Sequence, residues 1–164
     1  MDDSQIRSLL RETERDEIAI DRILLVSKQK KFCFQEIVFG QNVKLDSLVL
    51  ILQGSISLSK DVKASVDECL SQTAADRRSR ERKHRHSKIY LHSISQGHFL
   101  GAHELAFSKR TKVSAISSCQ TGETICLMIP RQETPLVHKV LLKQFALSSQ
   151  ISYKSFQNPF LIPL

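Results

Sequence analysis

FCFQEIVFGQNVKLDSLVLILQGSISL, residues Phe32–Leu58, carries three periodicities in one short stretch. Phe32, Phe34, Ile37, Val38 and Phe39 are β-formers, and their run stops at Gly40. Leu48–Leu52 is unbroken apolar sequence closed by Gln53 and Gly54. Ser55–Ser59 then alternates polar and apolar with a period of two. This order predicts a strand, a tight turn at Gly54 and a half-buried strand.

Upstream, from Asp3 to about Gln29, the period is helical. Ile6, Leu9, Leu10, Ile18, Ile20, Ile23 and Leu24 fall at spacings of three and four. An amphipathic helix or helix pair is expected, with Asp2, Asp3 and Ser4 as caps. Downstream, Asp61–Lys88 is polar and poor in aromatics, so it reads as a long loop with a short helix across Ala64–Leu70. Strand character resumes at Ile89-Tyr90-Leu91. It recurs at Phe99-Leu100, at Val113–Ser117 and at Thr124–Ile129, which Pro130 ends. Leu105-Ala106-Phe107 is a short apolar piece between them. From Thr134 the helical period returns at Leu136, Val137, Val140, Leu141 and Phe145, and the closing NPFLIPL reads as extended.

Strands grouped between helical ends predict a mainly β fold with flanking helices: an antiparallel jelly-roll barrel, not a βαβ sheet. The expected division is an N-terminal helical segment at 1–31, a β-barrel at 32–133 with its insertion at 61–88, and a C-terminal helix and tail at 134–164.

Charge is concentrated in one place. The chain carries +7, and Arg77–Lys88 alone carries +6. That run sets Arg77, Arg78, Arg80, Arg82, Lys83, Arg85 and Lys88 against the single acid Glu81. The basic character therefore belongs to a loop and not to a face of the domain. Such a loop reads as a solvated insertion, as a dock for an acidic surface (a tubulin tail, nucleic acid or anionic lipid), or as a nuclear localisation signal. No aromatics interleave with the charges, so base stacking is not signalled. No helix-turn-helix pattern follows the barrel, and a nucleic-acid partner is not expected. No apolar run reaches eighteen residues, which excludes a spanning helix. The acidic start fits neither a secretory signal nor a transit peptide, which leaves the cytoplasm as the expected compartment, with cytoskeletal, ciliary or nuclear association open. Cys33, Cys69, Cys119 and Cys126 form no paired motif and read as reduced, mostly small hydrophobes in strands.

Two segments together resemble the cyclic-nucleotide-binding domain of kinase regulatory subunits, gated channels and catabolite activators. In the first, Glu36, Ile37, Val38, Phe39, Asp46, Leu48–Leu52, Gly54, Ile56 and Leu58 carry the match. Gln35 and Asn42 stand where the family has glycine, and Asn tolerates a positive φ best among the alternatives. In the second, Ile94–Ser117, the match lies in Gly97, Phe99, Gly101, Leu105, Ala106, Arg110, Val113 and Ala115.

The resemblance implies a phosphate cassette drawn from Gly101, Ala102, Glu104, Leu105, Ala106, Lys109, Arg110, Thr111 and Val113. A cyclic phosphate wants backbone amides at a short helix and one arginine, and the ribose hydroxyl wants a carboxylate. Ala102 stands where binders carry that carboxylate. Glu104 lies two residues on, pointing from another face of the turn. The stretch from Gly101 to Val113 is also short, so either Arg110 is out of register or Lys109 takes the charge role without a bidentate grip. Two such losses, each about 1–3 kcal/mol, lower affinity by roughly two to four powers of ten. Phe145, Tyr153 and Phe156 are the residues that would lid a base.

Two functions follow. One is a non-catalytic protein-interaction or regulatory module with impaired nucleotide binding, working with protein partners in a larger assembly. The other is a cAMP or cGMP sensor coupled to its C-terminal helix. Neither needs a cofactor beyond that ligand. His98 and His103 lack metal-ligand spacing, the His-x-His pattern of His84-Arg85-His86 lies in the basic loop and not on a strand, and no nucleophile, P-loop or zinc motif occurs, so no catalytic or metal site is expected.

Overall fold

The computed structural model describes residues 3–63, 86–120 and 122–144. Its elements are α1 (Asp3–Arg11), α2 (Glu17–Val26), β1 (Lys28–Phe32), β2 (Ile37–Phe39), β3 (Ser47–Gln53), β4 (Ser55–Lys63), β5 (His86–Ser95), β6 (Phe99–Leu100), α3 (Ala102–Ala106), β7 (Ser114–Ser117) and β8 (Thr124–Pro130). A last helix, α4, occupies 134–144. The strands form two four-stranded antiparallel sheets, ordered β1-β8-β3-β6 and β2-β7-β4-β5. The mainly β, helix-flanked jelly roll expected from the sequence is the architecture found.

The solid run in β3 is explained by burial on both faces. Leu48, Leu50 and Leu52 join Leu127, Ile129 and the helices in one cluster, which includes Ile6, Leu10, Ile20, Ile23 and Leu136. Val49 and Ile51 point the other way, into a second cluster with Phe32, Ile56, Leu100, Ala115 and Cys126 between the sheets. Gly54 takes φ 86 in the β3–β4 turn, where an added Cβ would lie 2.9 Å from Thr124 Oγ1 and 3.0 Å from its Cα. Only glycine fits that approach.

Several boundaries differ from the sequence expectation. The helical period does not run to Gln29, and strand character does not wait for Phe32, because β1 begins at Lys28. Four of its five residues are exposed and polar, so it forms by pairing with β8 and shows no alternation. The loop expected across 61–88 is strand at both of its ends. Asp61–Lys63 and His86–Lys88 are strand, paired to one another, and Lys88 lies opposite Asp61. The helix expected across Ala64–Leu70, the basic residues Arg77, Arg78, Arg80, Arg82, Lys83 and Arg85, and the lid residues Phe145, Tyr153 and Phe156 fall outside the described residues, as do Asp2 and Cys69. Of the three described cysteines, only Cys126 is in a strand, where burial pushes its thiol up to about 12. Cys33 is exposed after β1, and Cys119 is half-buried after β7.

α4 buries Leu136, Val137, Val140 and Leu141 against the helix-side cluster. Polar contacts then fix it to the α1–α2 elbow. Glu14, 5% exposed, accepts the amides of Arg15 and Asp16 and an ion pair from Lys139. Arg22 pairs with Glu133 at 3.1 Å, and Lys143 donates to the Glu12 carbonyl at 2.9 Å. The Lys139 hydrogen bond, outweighing the cost of burial, holds the Glu14 carboxyl below its ordinary value of 4.5. A carboxylate depressed in the folded state contributes stability that is full above its unfolded pKa and is lost as pH falls through the folded one. The melting temperature is therefore expected to drop as pH falls below 4.5, and Glu14→Gln should flatten that drop; circular dichroism melts of both proteins across pH 3 to 7, roughly the carboxylate titration range, check it.

Candidate functional site

Gly101 opens the cassette at φ 85 as the N-cap of α3. A Cβ there would come within 2.6 Å of Leu45 Cδ1, so the β2–β3 loop presses directly on the helix start. Ala102 and Leu105 are 2% and 3% exposed and belong to the helix-side core. Ala106 packs against the same cluster. Glu104 sits about 200° around the helix from Ala102 and is half-buried. A carboxylate at position 102 would thus enter apolar packing, and the one at 104 leaves from the opposite side.

The cationic residues turn outward. Arg110 is exposed, and its Nη1 donates to the Asn42 carbonyl at 2.9 Å. Lys109 is exposed, with Nζ 5.4 Å from the centre of the Phe107 ring. Ser108 stands at φ 51 and accepts from Arg131 Nη2 at 2.5 Å. Val113 is half-buried at the entry to β7.

Thr111 is the pivot. It is 3% exposed, and its hydroxyl donates to the Gly40 carbonyl at 2.7 Å and accepts the Val43 amide at 2.9 Å. Its own amide donates to the Val43 carbonyl, and its carbonyl accepts the Asn42 amide. Ser114 Oγ accepts the Gln41 amide at 3.0 Å. Gln41 in turn pairs both ends of its carboxamide with the Asp61 backbone, accepting the amide at 2.8 Å and donating to the carbonyl at 3.4 Å. The cassette, the 40–44 loop and the β4–β5 hairpin are therefore one hydrogen-bonded unit. Sequence reasoning singled out Arg110, Thr111 and Asn42 for other reasons. It missed Gln41, Ser114 and Asp61, whose polar side chains or backbone give no pattern above that of any loop.

Asn42 and Gln35 stand at φ 64 and 65, the positive values implied by glycine at the matching family positions. A cleft of about 280 Å³ opens between the sheets, lined by Val38, Phe39, Val49, Met128 and residues 43–47. No residue from 101 to 113 contributes to its wall. Among the described residues no three histidine, cysteine or acidic side chains gather as metal ligands. No helix among them is long and apolar enough to cross a membrane.

No protein-family model matches the sequence, and no curated protein sequence matches it. Solved structures do. The regulatory domain of Toxoplasma gondii PKA, crystallised with cAMP, superposes with a TM-score of 0.63 at 13% identity, over 89% of this chain and 48% of that one. The Thermus thermophilus catabolite activator protein gives 0.59 at 15% identity, over 91% and 62%. The regulatory subunit of a cAMP-independent protein kinase A from Trypanosoma cruzi, bound to guanosine, gives 0.58 at 13%, over 91% and 50%. The chain thus spans from about half to less than two-thirds of these molecules. The fold is that of cyclic-nucleotide-binding regulatory domains.

Replacing Thr111 by valine keeps the side chain's shape but strands the Gly40 carbonyl and the Val43 amide. Thr111→Val is expected to lose about 1–3 kcal/mol, read as a lowered urea midpoint at unchanged slope.

Proposed function

We propose that this domain is a non-catalytic, cytoplasmic module of the cyclic-nucleotide-binding fold whose own nucleotide site is impaired and which acts by contacting other proteins within a larger assembly. The observation that carries the reading is the placement of Arg110. Its guanidinium is engaged by the Asn42 carbonyl on the outside of the domain. A cyclic phosphate would have to recruit that group inward and give up a charge-assisted bond.

The packing of Ala102 supports the same reading. A ribose hydroxyl meets no carboxylate there, and Glu104 leaves the helix from another side. Thr111, next to the arginine, already has its hydroxyl committed to Gly40 and Val43. The Trypanosoma cruzi neighbour, described as cAMP-independent, is a precedent for this fold operating without cAMP. The basic run Arg77–Lys88 brings a net charge of +6 that suits an acidic partner.

The alternative is a working cAMP or cGMP sensor that signals through α4. It requires Arg110 to leave Asn42 and α4 to leave its contacts with Glu14 and Glu12. Isothermal titration with cAMP and with cGMP separates the two. The module reading expects dissociation constants no tighter than about 1 mM. Binding in the micromolar range or tighter, abolished by Arg110→Ala, overturns it in favour of the sensor.

A further inference from the structure

We infer that the free edge of β5 is a docking site for an extended, acidic segment of a partner protein, which adds to the second sheet as a further strand. The inference rests on the module reading above and names the chemistry of its partner. β5 ends the order β2-β7-β4-β5, so among the described residues nothing pairs with its outer edge. Pairing of β4 with β7 stops at Ser59, whereas β4 and β5 continue together to Lys63 and His86. The hairpin therefore runs on past the sheet as a two-stranded ribbon.

An edge strand presents unpaired amides and carbonyls, and natural edges are usually short, charged or covered. This one is ten residues long. Ile89, Tyr90 and Leu91 are exposed on it at 48%, 70% and 48%. Leu91 is the extra residue of a bulge, because Leu58 faces His92 and Ser59 faces Tyr90. The bulge leaves His86–Tyr90 as a regular stretch for main-chain pairing.

Charge selects the partner. β5 holds Lys88 and no acid, and on the adjoining strand Lys60 and Lys63 outnumber Asp61, which lies opposite Lys88. A second copy of this chain, paired antiparallel through His86–Tyr90, would set Lys88 opposite Lys88, an unfavourable cross-strand pairing. An acidic strand with alternate apolar residues sets its carboxylates on the face of Lys88 and Tyr90, its apolar side chains on the face of Ile89, and its amides along the backbone edge.

The test uses the full chain and a short peptide of alternating glutamate and valine. The expected result is saturable binding with hydrogen-exchange protection in His86–Tyr90. Methylating alternate peptide amides on one edge should weaken it about tenfold or more, as should Tyr90→Glu, with the protein's melting curve unchanged. Equal binding by the methylated peptide, equal binding by the lysine analogue, or protection elsewhere overturns the inference. So does a dimer in light scattering that Tyr90→Glu dissociates. The nucleotide titration is read separately: tight cAMP binding beside a protected β5 sinks the module reading alone, and unprotected β5 beside silent nucleotide sinks this one alone.

Discussion

β3 has no polar side chain from Leu48 to Leu52, so neither of its faces can meet water. Everything around it answers that constraint. On one face the helices α1, α2, α3 and α4 supply the apolar cover, and on the other the second sheet does. Each of these side chains gains about 1.5–3 kcal/mol on burial, and β3 draws that gain on both faces at once. Helices at the two chain ends are thereby tied to the same strand, although α1 and α4 lie far apart in sequence.

The cassette shows what this cover costs in chemical freedom. α3 turns Ala102 and Leu105 toward the helix-side core because β3 and its neighbours leave an apolar surface there. A position that faces apolar packing cannot also offer a carboxylate to a ligand without a desolvation penalty of several kcal/mol. On the other side, Arg110 and Thr111 hold the 40–44 loop, which has a positive φ at Asn42 and needs partners for its carbonyls. Two residues of the cassette that the resemblance implies are here engaged in closing a loop.

Where the sequence was legible, burial was the reason. β3, β4 up to Ser59, β7 and β8 bury one or both faces, so hydrophobic periodicity marks them, and Gly54 and Asn42 mark turns that only a few residues can make. Where it was not, pairing is made by the backbone alone. β1 reads Lys-Gln-Lys-Lys-Phe and is held by the ladder to β8, with only Phe32 reporting the core. The extension of β4 past Ser59 and the start of β5 before Ile89 are polar in sequence, so they pass for loop. The outward turn of Arg110 was likewise invisible, because its acceptor is a main-chain carbonyl, which no side-chain pattern records.

The ribbon also accounts for how a long charged insertion coexists with a packed domain. Its two ends are set by the pairing of Lys63 with His86, beyond the last rung shared with β7. Gln41 takes over where β7 stops, offering Asp61 an amide and a carbonyl in place of a strand. With its ends fixed, lengthening the insertion costs little, about 0.6 kcal/mol for each doubling. The β4–β5 ribbon that brackets the insertion is in turn joined through Gln41, Asn42 and Thr111 to the cassette itself.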